Sequence, residues 1–279
     1  QAGELQGAEF IPFARVGELG ADPKLNVRLF PSTRRNFILL NTRPKLKQGA
    51  ANLLSNLDFR QALNYATDKA ALIKLVAFGN GKESKSFLAS TTPLYAAQTA
   101  YPYDLAKARQ LFAKSGAPAN TALTLQVIAG NADQNALATA LQQMWGQVGV
   151  RLKIEQLDAA TKTARYRAND FQMRTAGWTN DINDPSEITS YFAIYDNVES
   201  LHTGFKSTEI EKLFQQSQSE TNRQNRAAQY RRIQTIYNDA APIVFLYETP
   251  YPVALAKNVH GFVQIPLGNN IFTSTSLER

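Results

Sequence analysis

The chain has 279 residues, room at roughly 150 residues per domain for two lobes or one large one. Its hydrophobic content of 44% excludes a disordered or fibrous chain, and 30 Lys+Arg against 23 Asp+Glu leave a net charge of +7. The lack of Cys excludes disulfides, thiol nucleophiles, zinc ribbons and iron–sulfur clusters, and the two histidines, His202 and His260, form no HxxH or HExxH pattern.

Residues 1–23 are mixed and Gly-rich, with an apolar patch at Phe10, Ile11 and Phe13. The sequence opens on Gln1 without Met or a charged-then-apolar leader, as expected of a processed or excised chain. Two strands follow, Asn26–Phe30 and Asn36–Asn41, joined by a polar turn over 32–35. The stretch 24–47 carries seven basic residues (Lys24, Arg28, Arg34, Arg35, Arg43, Lys45, Lys47) and no acidic one. It reads as a solvated basic face on the two strands. The alternative, a nucleic-acid-binding module, requires a steep salt dependence of binding.

Asn56 or Asp58 opens a helix in which Phe59, Ala62, Leu63, Ala66, Ala70 and Ile73 recur at helical spacing. Gly79-Asn80-Gly81 ends it as a turn and lacks the third glycine of a nucleotide cradle. Residues 82–103 read as irregular, with Pro93, Pro102 and three tyrosines, Tyr95, Tyr101 and Tyr103. Asp104 caps a short helix bearing Leu105, Ala108, Leu111 and Phe112, closed by Gly116. A strand at Leu123–Ile128, a helix from Asp133 to Val148 and a strand at Val150–Ile154 form a βαβ unit. Leu137, Leu141, Met144, Trp145 and Val148 are the helix's core face.

A helix at Ala159–Arg167 precedes a strand at Phe171–Trp178. Helices follow near Ser207–Gln218 and Asn222–Ala240, the second burying Tyr230, Ile233 and Tyr237, and then a strand at Ile243–Tyr247. The tail holds Pro250, Pro252 and Pro266 and short apolar stretches without helical period. Strands alternating with helices give an α/β fold class. Stretches of about 18 apolar residues, which a membrane-spanning helix needs, do not occur.

The most distinctive segment is Gly177-Trp178-Thr179-Asn180-Asp181-Ile182-Asn183-Asp184-Pro185, at the end of a strand. Ligands in open α/β sheets bind outside the carboxyl ends of strands. Asp181 and Asp184 are too close in sequence for a glycosidase-type carboxylate pair, which sits on separate elements. A calcium loop would need a Gly at position 6 and a distal Glu, which are lacking. Asp184 or Asn183 reads as a helix cap with Pro185 in the first turn. Asp181, beside a Trp at a strand end, is suited to receiving an ammonium group. Neither His202 nor His260 has a Ser or Asp at a telling spacing, and each reads as a surface residue; GxSxG, Walker and GxGxxG motifs are absent.

In order along the chain, seven segments resemble those of the family 5 extracellular solute-binding proteins, the dipeptide- and oligopeptide-binding type that serves ABC importers. They are Phe37–Asn41, Asp58–Lys69, Tyr103–Leu111, 142–154, Gly177–Pro185, Arg226–Pro242 and Val259–Phe262. The resemblance spans nearly the whole chain but only the C-terminal half of the family's length. It implies a periplasmic-binding-protein-like second lobe, a mixed sheet with flanking helices, truncated at its N-terminal side. Residues 1–32 are then a remnant of the first lobe, 33–248 the ligand-binding second lobe, and 249–279 the return to the first.

The implied function is capture of di- or oligopeptides and delivery to a membrane permease, in the periplasm or anchored outside the cell. Nucleic acid, enzyme chemistry, a cofactor and a metal site are not expected. A same-fold protein for an opine, sugar, haem or chelated metal is the alternative. The resemblance places Asp181 on the ligand's ammonium and lines Gly177, Trp178, Thr179 and Asn180 along its main chain, as an added strand. Arg174 is a nearby cation for a carboxylate if its strand is regular, and Tyr101 and Tyr103 are further candidates for pocket walls.

Overall fold

The sheet is decided by strands whose two faces are both apolar. In Arg35–Leu40, Phe37 and Leu39 point to one side and Ile38 and Leu40 to the other, all buried. In Ile243–Glu248, Ile243 and Phe245 oppose Val244 and Leu246 in the same way. Period-two alternation with both faces apolar requires a layer on each side. The computed structural model, which describes residues 5–99 and 101–278, supplies both layers.

In chain order the elements are β1 (Gly7–Glu9), α1 (Phe13–Gly20), β2 (Leu25–Phe30), β3 (Arg35–Leu40), α2 (Leu57–Tyr65), α3 (Lys69–Val76), β4 (Lys82–Glu83) and α4 (Leu105–Lys114). There follow β5 (Thr121–Ile128), α5 (Ala132–Gly146), β6 (Val150–Leu157), α6 (Ala159–Arg167), β7 (Met173–Trp178) and α7 (Pro185–Ala193). The last large elements are α8 (Thr208–Ser219), α9 (Arg223–Ala240), β8 (Ile243–Glu248) and β9 (Tyr251–Ala256), before two short hairpin pairings near the end.

The six-stranded sheet runs β4-β8-β3-β7-β5-β6. β5 is parallel to both β6 and β7, and the other pairings are antiparallel, so the sheet is mixed. One face packs Phe59, Leu63, Leu141 and Trp145 against Ile38, Leu40, Val244 and Leu246. The other packs Phe192, Tyr230, Ile233 and Tyr237 against Phe37, Leu39, Ile243 and Phe245. A separate three-stranded antiparallel sheet, β1-β9-β2, is built from the two ends of the described chain, with Val253, Leu255, Val259 and Phe262 as its small core.

Local chemistry sets the helix starts. Asn56, Asp68, Asp104, Asn131, Asp158, Asp184, Ser207 and Asn222 each cap a helix by accepting a backbone N–H of its first turn. The single helix expected from Asn56 to Ile73 is instead two. Asp68 accepts from Ala71 N at 2.9 Å and starts α3 afresh, while Thr67 turns its hydroxyl back to Leu63 O at 2.7 Å. Further elements lie where the sequence suggested irregular chain, among them α1, the short β1 and β4, and β9, which holds the centre of its sheet despite Pro252.

The basic stretch also departs from a uniform solvated face. Arg35 is only 1% exposed and reaches Asn180 Oδ1 at 2.6 Å, and Arg43 pairs with Glu199. Burial of the Arg35 guanidinium pushes its pKa down to about 10. Among the described residues no helix is long and apolar enough to cross a membrane.

Candidate functional site

The site begins as a fork between two strands. β7 stays paired with β3 along its whole length, from Leu40↔Met173 to Arg35↔Trp178. Its pairing with β5 covers only Leu125↔Met173 and Gln126↔Arg174. Beyond that point β5 continues beside β6 to Ile128↔Leu157. The β7 edge from Thr175 to Trp178 is therefore without a strand neighbour on the β5 side.

Backbone alternation says which groups line this edge. The Gln172 carbonyl accepts from Asn41 N at 2.9 Å, on the β3 side. Successive residues of a strand present their N–H and C=O to opposite sides. Residues 174, 176 and 178 therefore face β3, and 173, 175 and 177 face the fork. The Thr175 carbonyl confirms this alternation: it accepts not from β5 but from Lys162 Nζ, at 2.9 Å. Gly177, which is exposed, thus offers an N–H and a C=O together on the open edge.

The fork is held apart by α5 and α6. Gln134 Oε1 accepts from Ile128 N at 2.8 Å and from the Thr175 hydroxyl at 2.7 Å, so one side-chain oxygen ties β5 to β7 where they part. Lys162 also donates to the Thr175 hydroxyl at 2.7 Å. Burial, with the Arg174 charge beside it, pushes the Lys162 ammonium down to about 7.

A cavity of about 680 Å³ opens at the fork, within the range of roughly 300–1,000 Å³ usual for small-molecule sites. It lies at the carboxyl ends of the parallel strands β5 and β7, lined there by Ile128 and by Gly177, Trp178 and Thr179. The far wall includes Phe13 of α1 and Thr249, so the small sheet's side of the molecule contributes too. Its charged lining residues are Arg34, Lys162 and Arg174, against Asp133 alone.

Four of the six residues expected at the ligand, Arg174, Gly177, Trp178 and Thr179, line this cavity. Asn180 and Asp181 do not. Asn180 is 1% exposed; its amide accepts from Arg35 and donates to Thr92 Oγ1 at 3.3 Å, and its N–H bonds Thr33 Oγ1 at 2.9 Å. Asp181 is exposed, on the turn three residues past Trp178. Burial and the nearby Asp181 charge raise the pKa of the half-buried Glu187 carboxyl, while Arg35, the Asp181 backbone N–H and the Trp178 indole ease it back.

Asp184 behaves as a cap: it accepts from Ser186 N at 2.8 Å, and both its oxygens take Arg226, at 2.9 and 3.0 Å. Tyr101 is buried in the core, its hydroxyl donating to Asn238 O at 2.6 Å, and Tyr103 is exposed; neither lines the cavity. His202 is not a plain surface residue. Its Nδ1 lies 2.8 Å from Asn169 Oδ1, and its ring meets Tyr166 edge-on at 4.5 Å.

That position comes from an unusual turn. Val198, Glu199, Ser200, Leu201 and His202 all have positive φ, between 43° and 57°, and His202 N bonds Val198 O at 3.0 Å. A left-handed turn of L-residues costs about 1–2 kcal/mol per residue. Arg43 holds it closed, pairing with Glu199 and donating to His202 O at 2.8 Å. Leu201 from this turn lines the cavity, and His202 backs Tyr166, over which the Arg174 guanidinium stacks at 4.1 Å.

The sequence reading missed Lys162, Gln134, Asp133 and Phe13. Lys162 and Gln134 sit on helices whose spacing marks only which face is buried, and nothing local signals that a strand partner departs beside them.

The fold recurs in known proteins. The solved structure of HbpA2 from Haemophilus parasuis matches with a TM-score of 0.86 at 26% identity, over 100% of this chain and 55% of that one. This is the mixed α/β architecture of the periplasmic binding proteins. The family model described as bacterial extracellular solute-binding proteins, family 5 Middle, matches residues 1–200, and the chain belongs to that family.

Among its curated relatives are the probable D,D-dipeptide-binding periplasmic protein DdpA of Escherichia coli K12, 25% identical over 99% of this chain and 53% of the relative. Heme-binding protein A of Haemophilus influenzae is 28% identical over 100% of this chain and 51% of the relative. The chain spans about half the length of these relatives.

Proposed function

We propose that this chain is the solute-capturing part of an ABC-importer binding protein, taking di- or oligopeptides and passing them to a membrane permease from the periplasm or the cell exterior. The observation that carries this reading is the uncovered edge of β7. A peptide laid against Thr175–Trp178 exchanges backbone hydrogen bonds with Gly177 and extends the sheet in the place β5 has left. Asp181, on the exposed turn beyond Trp178, takes the ammonium end, and Trp178 gives that end an apolar wall. In this reading residues 1–32 and 249–279 are pieces of one lobe and 33–248 the other, with the hinge where the chain crosses at 31–34 and 248–250.

Native mass spectrometry of the protein purified without denaturation tests the ligand class. A ladder of masses fitting short peptides supports it. A single non-peptide mass moves the reading to an opine, sugar, haem or chelated metal on the same fold; the haem-binding relative is what favours that second reading. Peptide affinity unchanged by Asp181→Ala refutes the role given to Asp181.

A further inference from the structure

Half-buried arginines in this molecule are, with one exception, matched to acceptors. Arg43 pairs with Glu199, Arg165 with Glu155 and Asp170, and Arg226 with Asp184. Of the deeply buried pair, Arg60 donates to four backbone carbonyls, those of Leu54, Ser55, Ala240 and Ala241, while Arg35 donates to Asn180 and leaves Nε and Nη1 without a partner, away from the cavity lining. Arg174 is the exception among the half-buried ones, and it lines the cavity. Among the described residues it makes no ion pair and no side-chain hydrogen bond, and its Nε is buried without a partner.

What Arg174 does have is a stacking surface, Tyr166, and a second cation. Stacking on a ring engages the guanidinium's face and leaves its in-plane N–H groups free. Lys162 is close enough to feel the Arg174 charge, and the cavity is lined by a single carboxylate, Asp133, which makes no ion pair with Arg174. Asp133 lies near Arg34, since both act on Tyr247. A half-buried guanidinium without a counter-charge is costly unless an anion arrives.

We propose that the Arg174–Lys162 end of the cavity is an anion subsite, so that the solute carries an acidic group seated on Arg174. This rests on the cavity being the solute site and narrows its ligand to one with a carboxylate or phosphate oxygen at the Thr175 end of the open edge. Arg174 is the contact. Lys162, whose Nζ is engaged by Thr175, holds the fork. The acid can be a peptide's terminal carboxylate or a side-chain acid, and the test separates the two.

Titration calorimetry compares four probes: Ala-Ala, Ala-Ala amide, and Ala-Gln amide against Ala-Glu amide. Loss of affinity on amidating Ala-Ala assigns the subsite to the terminal carboxylate. Affinity restored by Glu over Gln in the amide pair assigns it to a side chain. In either case Arg174→Gln is expected to weaken the acidic probe roughly 10-fold or more, the worth of a charge-assisted hydrogen bond, and to leave the matching neutral probe unchanged. Arg174→Lys, which keeps the charge, recovers part of the loss.

Equal weakening of acidic and neutral probes by Arg174→Gln, or indifference of the wild type to both acids, overturns the subsite while leaving peptide capture standing. If none of the four binds, the Nε–H resonance of Arg174 is followed by NMR as glutarate is added. A saturable shift, absent in Arg174→Gln, retains the anion subsite and discards the peptide; no shift discards both.

Discussion

Replacing Lys162 by Met is expected to change how stability depends on pH, not only its size. Lys162 is 2% exposed, and burial lowers its pKa from 10.5 to about 7. Between those values the unfolded chain binds the proton and the folded chain does not. Stability therefore rises with pH across this window, and the cost of holding the charged form is fully present below about 7. At about 1.4 kcal/mol per pH unit, the rise sums to about 5 kcal/mol; because a buried ammonium draws water toward itself, on the order of half that is expected in solution. The Met variant has no such term. It also leaves the Thr175 carbonyl unpaired, a constant penalty of about 1–3 kcal/mol. Urea unfolding of both proteins from about pH 6.5 to about pH 10 measures the difference. Lys69, whose pKa burial pushes down to about 8, titrates in both and cancels. The wild type's advantage is expected to grow by a few kcal/mol toward high pH. A difference that stays flat refutes the buried-ammonium account.

Gly177→Pro removes the N–H on the open edge and spares the ladder to β3, while Gly177→Ala keeps that N–H and controls for the added Cβ, which comes within 3.3 Å of Arg35 O. Ligand affinity by calorimetry is expected to be about tenfold lower for Pro than for Ala, one backbone hydrogen bond's worth, and equal values rule out strand addition. Asp184→Ala takes away both the α7 cap and the Arg226 partner, and a loss of about 2 kcal/mol is expected in denaturant melts. Burial works to raise the Asp184 carboxyl, but bonds from Arg226 and Ser186 outweigh it and hold the pKa below the usual value. The stabilisation is thus present above the ordinary carboxylate range and lost as pH falls through the folded value, so the gap to Asp184→Asn should close in acid. Val198→Gly relieves a β-branched residue at φ 43° and is expected to stabilise by about 1 kcal/mol in the same melts.

The central strands and most helices were legible because their signals are local. Asp104 and Asp184 are caps wherever they sit, and the apolar run from Phe37 to Leu40 reads as a strand. β9 was not legible because Pro252 argues against a central strand, and only pairing with two distant segments overrules it. The α2–α3 break was hidden because the apolar spacing runs through Thr67 and Asp68 unbroken. For the site, Gly177 and Trp178 stood out by composition at a strand end. Lys162, Gln134 and the solitary state of Arg174 did not, since they depend on where β5 parts from β7, a property of register between strands more than 40 residues apart in the chain.

Asn180, which was expected to meet the ligand, joins instead the end of β7 to the place where the chain leaves the six-stranded sheet. Its backbone is tied to Thr33, its amide to Arg35 and Thr92, and Ser32 in turn donates to Thr249 O on the other crossing. The open edge of β7 and the two chain crossings thus share one clasp of four short side chains and an arginine. If a solute pairs with Gly177 and Trp178 as proposed, it pulls on the same stitches that join the two chain crossings, and loading is then expected to be coupled to bending there.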